Sequence, residues 1–472
     1  MEDLNEKCGI FGIYGKDMDV SRLAFYGLFA LQHRGQESSG MAVSDGWKVV
    51  AHKEMGLVNQ AYTEKDIARL KGHIAIGHNR YSTSAGTGIL HAQPISSRNG
   101  EMMLAHNGNL PSVTALQKFL ISKGIDSVKS DRNSDSEMMT DAIGYYMENG
   151  RNVTDAITRA FPLFTGAFSV VVSTRDTLVA FRDHCGIRPL AMGKLNGGYV
   201  FASETCAFAT IGAEFIRDVE PGEMVAVTDR GVKSFKLAPP NQKLDAFEFV
   251  YFSRPDSMLM GRSVYEVRHR FGEILARENP LDVDIVVPVP ETAIPVAVGY
   301  AMASKIPFEM GLVKNRYIHR TFIEPDPHSR DLGVKLKLNP LPGALKGKRV
   351  ALIDDSIVRG TTSKQIVKSL FDAGATEVHF MASSPPVRFP DFYGIDTPKQ
   401  KTLIAAIKTV PEIKKFLGAS SLHYLSLDGL VEAIGVPKDK LNLSCFNGEY
   451  PLDILERKAE IEINQLTRPG TC

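Results

Sequence analysis

Two patterns of apolar residues meet near residue 240, and no single sheet can satisfy both. From Cys8 to about residue 235 the chain reads as short strands joined by tight turns, among them CGIFGIYG, HIAIGHNRYS and GAFSVVVSTRDTLVAFRD. Helical stretches interrupt them at about 19–33 and 135–147. A helix offers only one apolar stripe, so strand-rich layers of this kind are buried by stacking two sheets and covering the outside with helices. The expected result is a four-layer αββα sandwich of the α+β class. Beyond Leu237-Ala-Pro-Pro-Asn-Gln-Lys243, a stretch of Pro, Asn and charge, helix and strand alternate. An amphipathic helix over 263–279 leads to the apolar strand DIVVPVP, the helix ETAIPVAVGYAMAS and then RVALIDDSIVRGTTSKQIVKSLFDAGATEVHFMASSPP. Short apolar strands separated by helices predict a parallel sheet covered on both faces, a doubly wound α/β domain. The 472 residues accommodate both units, divided as 1–7, 8–240 and 241–472, the last ending in a helical tail.

Composition narrows the function classes. Lys and Arg total 55 against 54 Asp and Glu, so no broad positive field is available for nucleic acid or an anionic membrane. The start MEDLNEKC lacks an apolar run, and no later segment approaches the ~18 consecutive apolar residues of a membrane span, so the chain is expected in the cytoplasm. Five cysteines, at 8, 185, 206, 445 and 472, are odd in number and widely spaced, which argues against a disulfide scaffold and for a reducing compartment. There is no CxxC or HExxH, so a structural zinc site is not expected.

VALIDDSIVRGTT, residues 350–362, sets four apolar strand residues before two adjacent acids and a Gly-containing turn that opens a helix at about Ser363. In an open α/β sheet, ligands sit beyond the carboxyl ends of the strands, which puts Asp354 and Asp355 at the mouth of the crevice. The turn of Val358, Arg359, Gly360, Thr361 and Thr362 offers backbone N–H groups and hydroxyls at a helix N-terminus, where an anion is favoured. Acids for vicinal hydroxyls and amides for a phosphate together describe a ribose 5-phosphate. The string resembles the phosphoribosyl pyrophosphate (PRPP) motif of type I phosphoribosyltransferases. That resemblance implies that Asp354 and Asp355 hold the ribose hydroxyls and one Mg2+ per subunit. It further implies that the turn 289–293 binds pyrophosphate, with Thr292 as an additional metal ligand. The stretch 314–340, dense in Arg, Lys and His, would then be the catalytic loop, with Lys314, Arg316 and Arg330 contacting the leaving group. His319, Glu324 and Asp326 stand in it where smaller or neutral residues would be expected.

Cys8 is followed by LQHRGQES (31–38), GHNRYST (77–83), HNGN (106–109) and SDSE (134–137). This set, in this order, resembles the class II glutamine amidotransferases, whose amino-terminal cysteine hydrolyses glutamine on the fold of the N-terminal-nucleophile (Ntn) hydrolases. Cysteine suits amide cleavage because part of it is thiolate near neutral pH. A terminal α-amine, with a reference pKa of about 7.7–8.0, is a competent base toward that thiol. The mechanism therefore requires loss of residues 1–7, by Cys8 attacking the carbonyl before it. By motif, Asn107 and the Gly108 amide would form the oxyanion hole, Arg80 would grip the glutamine α-carboxylate, Asp135 would hold its α-ammonium, and Arg34 would shape or gate the pocket.

Joined, the two halves describe displacement of pyrophosphate from C1 of PRPP by ammonia carried through a sealed tunnel, giving 5-phosphoribosylamine. With FEFVYFSRPDSMLMGRSVYEVR (247–268), the resemblance to the glutamine PRPP amidotransferase family extends over nearly all of 8–455. It implies feedback by purine nucleotides and a tetramer. Members with a cleaved leader commonly carry a 4Fe-4S cluster on four cysteines, and here those positions read Asp245, Asp391, Asn442 and Cys445, so no cluster is expected. Cys185 and Cys206 are expected to be buried and inert, and Cys472 to lie in a polar tail. Alternatives are another class II amidotransferase, making an amino sugar or asparagine, or a purine-responsive regulator on a phosphoribosyltransferase fold. VALIDDSIVRGTT opposes the first, and the nucleophile set opposes the second.

Overall fold

The protein is represented by a computed structural model that describes residues 8–81, 88–125, 134–315, 338–394, 399–462 and 466–467. In the first half, two antiparallel sheets lie face to face. One takes β1 (Gly9–Tyr14), β2 (Ser38–Ser44), β3 (Val49–Met55) and β4 (Ile74–Arg80). The other begins with β5 (Ile95–Ser96), β6 (Met103–Ser112), β7 (Thr165–Ser173) and β8 (Leu178–Arg182). Then β9 (Ala191–Leu195), β10 (Gly198–Ala202) and β11 (Glu214–Asp218) return to the first sheet, in the order β11-β9-β10-β1-β4-β2-β3. Finally β12 (Glu223–Thr228) and β13 (Gly231–Lys236) complete the second, in the order β13-β12-β8-β7-β6-β5.

The period-two alternation of β1 sorts its side chains between two cores. Ile10 and Tyr14 join Ile74, Ile76, Ala105 and Val171 between the sheets. Phe11 and Ile13 face outward onto the helix Val20–Ala30. On the far side, the helices Thr114–Ser122, Asp135–Glu148 and Val153–Ala160 cover the second sheet through Leu116, Met139, Ile143 and Ile157. The result is the αββα arrangement. The helix expected over 19–33 stops at Ala30 and gives way to a 3-10 turn, Gln32–Arg34, that folds back toward the strand ends.

From β14 (Leu244–Asp245) onward the architecture changes. After the short hairpin β15 (Met258–Leu259) and β16 (Arg262–Ser263), the Ser263 side chain caps the helix Val264–Glu278 by accepting the Glu266 N–H. An all-parallel sheet follows, of β17 (Ile285–Pro288), β20 (Arg349–Asp354), β21 (Glu377–Ala382) and β22 (Ser421–Tyr424), in that order across the sheet. Between β17 and β20 lie β18 (Leu312–Lys314) and β19 (Leu338–Pro340), an antiparallel pair. Helices Val264–Glu278 and Ile294–Ser304 pack on one face of the sheet, and Thr361–Asp372 and Val410–Leu417 on the other. This is the doubly wound α/β arrangement expected for the second half. A last strand, β23 (Leu441–Asn442), returns to pair with β14.

Candidate active sites

Three elements bring the amidotransferase residues together. Gly9 lies opposite Asn79 in the β1–β4 ladder, so Cys8 enters the sheet beside Arg80. The motif 31–38 packs across those strand ends. A Cβ on Gly35 would stand 2.6 Å from the Asn79 carbonyl, so only glycine lets the chain pass so close. Glu37 donates its N–H to the Arg80 carbonyl and accepts from Arg80 Nη1 at 3.2 Å. Across the gap between the sheets, His78 Nε2 lies 3.1 Å from the His106 carbonyl oxygen, which ties β4 to β6.

Asn107, on β6, is fully buried, and neither its Oδ1 nor its Nδ2 has a hydrogen-bond partner among the described residues. A buried amide left unmatched is costly and rare, and this one sits on the strand tied to β4 two residues from Arg80. Gly108 follows at φ 149°, where a Cβ would meet the Ala167 carbonyl oxygen at 2.0 Å. Both properties suit a pair of donors waiting for an oxygen that develops charge. Asp135 begins a helix capped by the reciprocal Ser134–Glu137 box, and its Oδ2 accepts the Leu110 N–H of β6 at 3.2 Å.

Arg34 packs beside the residue that follows Cys8, since a Cβ on Gly9 would meet the Arg34 Cβ at 3.4 Å. Its guanidinium is 2% exposed and committed to buried carboxylates, through Nε to Glu204 and through Nη2 to Glu248 and Ser253. The guanidinium thus serves the junction between the halves, while the Arg34 backbone lies on the segment that packs across the strand ends beside Cys8. Burial alone would push the Glu204 carboxyl up, but Arg34 and His33 hold it far below the usual carboxylate range. Glu248 sits on a π-helical turn, Glu248–Phe252, which Arg268 pins by donating to the Phe249 and Ser253 carbonyls at 2.8 and 2.7 Å. Burial lowers the Arg268 pKa to about 10, and the charge of Asp355 opposes that shift. The sequence offered one signal for this junction, the acid and arginine inside FEFVYFSR.

In the second half, Asp354 and Asp355 sit half-buried at the carboxyl edge of β20. Asp354 Oδ1 accepts the Asp355 N–H at 3.0 Å, and Asp355 Oδ1 accepts from Ser356 Oγ at 2.7 Å. The turn through Val358 and Arg359 ends at Gly360, whose φ of 77° starts the helix at Thr361, two residues before the expected start. Thr361 and Thr362 therefore occupy its first turn. Val289 donates to the Ile353 carbonyl at 2.8 Å, so the turn holding Thr292 lies alongside the paired acids. Lys314, at the end of β18, reaches that turn through Glu291 at 3.5 Å. Arg316 and Arg330 lie outside the described residues, as do His319, Glu324, Asp326, Cys472 and residues 1–7.

The donor set suits Mg2+, which prefers hard oxygens and takes one or two carboxylates beside substrate phosphates. It does not suit an iron–sulfur cluster. Asp245 and Asn442 pair across β14 and β23, and Arg188 Nη2 stands 3.6 Å from Asp245 and 3.8 Å from Asp391. The only thiol of the four positions, Cys445, is buried, and burial with Asp391 and Asp245 nearby raises its pKa well above the ordinary value. A neutral thiol beside a guanidinium and carboxylates cannot supply four thiolates. Cys185 and Cys206 are likewise buried with raised pKa values, Cys185 up to about 12 by desolvation.

A family model described as a glutamine amidotransferase domain matches residues 78–210. An amidophosphoribosyltransferase of Synechococcus elongatus is 47% identical over 458 residues, covering 96% of this chain and 92% of that protein. Two solved structures superpose with 42% identity over 95% of the chain. One, described as the allosteric regulatory enzyme of purine biosynthesis, has a TM-score of 0.89 and is 97% covered. The other, glutamine PRPP amidotransferase of Bacillus subtilis complexed with ADP and GMP, has a TM-score of 0.88 and is 98% covered. No described helix is long and apolar enough to cross a membrane.

Proposed function

The chain belongs to the amidophosphoribosyltransferase family, enzymes that transfer the amide nitrogen of glutamine to PRPP in the first step of purine biosynthesis, and we propose that its halves divide that reaction between Cys8 and the Asp354–Asp355 turn. Cys8 Sγ attacks Cδ of glutamine once residues 1–7 are gone, its own α-amine taking the thiol proton and returning it to the departing ammonia. Asn107 Nδ2 and the Gly108 N–H receive the oxyanion, Arg80 the α-carboxylate and Asp135 the α-ammonium. Water then releases glutamate from the thioester. Ammonia passes to the second half and attacks C1 of PRPP as pyrophosphate leaves.

Asp354 and Asp355 orient the ribose hydroxyls, and the amides and hydroxyls from Val358 to Thr362 hold the 5-phosphate at the helix N-terminus. Mg2+ held by Asp354, Asp355 and Thr292 would neutralise charge on the pyrophosphate. Lys314, with Arg316 and Arg330, completes the leaving-group contacts. Purine nucleotides present the same ribose phosphate to the same loop and would compete for it, consistent with the ADP and GMP bound by the Bacillus relative. We assign the enzyme to the cytoplasm, as a homotetramer without an iron–sulfur cluster.

The observation that carries this reading is the unmatched Asn107 amide on the strand tied to the Arg80 end of β4. Replacing Cys8 by Ala is expected to abolish glutamine-dependent synthesis and leave ammonia-dependent synthesis intact. Loss of both would overturn the two-site reading. Intact mass reports the leader, and an active enzyme that retains residues 1–7 would overturn the α-amine as base.

A further inference from the structure

Asn107 and Asp135 lie on different elements, yet one group of buried polar side chains holds both. Ser136 Oγ, next in sequence to Asp135, stands 2.9 Å from His106 Nδ1, 3.2 Å from Gln93 Nε2 and 3.3 Å from Asp135 Oδ1. Gln93 Oε1 accepts the backbone N–H of His106 at 2.7 Å, and His106 immediately precedes Asn107.

Register explains why a side chain is needed there. β5 pairs with β6 only through Ile95 opposite Leu104 and Ser96 opposite Met103. Continuing that antiparallel ladder would set Gln93 opposite His106, beyond the last backbone pair. The Gln93 amide therefore does there what the missing strand would do, and its other arm reaches Ser136. From the opposite sheet, His78 Nε2 faces the His106 carbonyl oxygen, an acceptor, so that nitrogen carries the proton. Burial lowers the His78 pKa to about 3, so the ring is neutral. The His106 peptide groups are thus held on one side by Gln93 and on the other by His78.

We infer that Gln93, His106 and Ser136 are positioning residues that set the separation between the oxyanion donors and the α-ammonium acceptor, and so fit the pocket to the length of glutamine. This rests on the roles proposed above for Asn107 and Asp135. None of the three needs to touch the substrate. Each acts through the peptide or carboxylate next to it.

The test measures glutamine hydrolysis in Ser136→Ala, Gln93→Ala and their double variant, beside Asp135→Asn. Ammonia-dependent synthesis on the same preparations reports folding, and alkylation of Cys8 by iodoacetamide reports the intrinsic reactivity of the thiol. Each single variant is expected to raise KM for glutamine roughly tenfold, the loss of about one net hydrogen bond, with the alkylation rate unchanged. The double variant should fall short of the product of the singles, because the side chains act as one unit. Ser136→Thr, which keeps the hydroxyl, should restore most of the affinity. If an alanine variant loses ammonia-dependent synthesis, Ser136→Cys and Gln93→Met are read in its place. Wild-type KM in the Ser136 and Gln93 variants beside an impaired Asp135→Asn would overturn the clamp and leave the site reading standing. Wild-type KM in Asp135→Asn would overturn the site reading itself.

Discussion

The role proposed for Asn107 conflicts with its structural interest. A buried amide without partners destabilises by about 1–3 kcal/mol, and in the role proposed above its N–H group gains a partner when the oxyanion forms. Asn107→Leu is therefore expected to raise the melting temperature in calorimetry while cutting glutamine-dependent kcat by about 100- to 1,000-fold. Ammonia-dependent synthesis should not change. Asp245 conflicts with its surroundings in a different way. Arg188 is held charged by Asp245, Asp391 and Glu248 together, yet burial and the charge of Asp391 still push the Asp245 pKa up to about 8. One guanidinium shared by several carboxylates does not neutralise them all. Because the folded state holds this proton more tightly than the unfolded chain, the stabilisation is complete below the unfolded value of 3.8 and is lost as pH rises toward about 8. Asp245→Asn keeps an acceptor for the Phe247 N–H and should flatten the fall in melting temperature between about pH 5 and about pH 8.

Among the elements, β6 and the π-helical turn have the most specific conformational demands. Gly108→Ala would drive a methyl into the Ala167 carbonyl at a φ that side chains avoid, so β6 must shift against β7. The expected loss is on the order of 1–3 kcal/mol in denaturant unfolding, with glutamine hydrolysis abolished and ammonia-dependent synthesis retained. Much of the element structure was legible, because caps and periodicity are local. Ser263 and Ser134 start their helices where the sequence suggests, and the apolar runs at 285–288 and 350–353 are buried parallel strands. The π-helical turn at Glu248–Phe252 was not legible, since nothing local requires an extra residue there. Its shape follows from Arg268 and from Arg34, which is 214 residues away from Glu248 in sequence. The clamp residues show the same limit. His106 and Ser136 stood inside recognised motifs, but Gln93 lay outside them, and what joins the three is the register of β5 and the close approach of two sheets.

For the whole molecule, the halves are joined by buried charge and hydrogen bonds as well as by apolar contact. Arg34 and Arg188 from the first half meet Glu248 and Asp245 of the second, and Asn109, two residues beyond Asn107, donates to the Phe392 carbonyl at 2.8 Å. Among the described residues, Arg34→Met would leave buried Glu204 only His33 as an ion-pair partner and buried Glu248 only the shared Arg188, and is expected to cost about 3–5 kcal/mol in denaturant unfolding. Arg34→Lys should recover little, because one ammonium cannot reach both carboxylates as the planar fork does. This junction also bears on recombination. A gene fusion cut near residue 240 and joined to an unrelated transferase half would discard Glu248 and Asp245 while keeping the arginines that need them. The two activities are separable in chemistry, but as genetic modules they can be exchanged only together with the charges that each half lends the other.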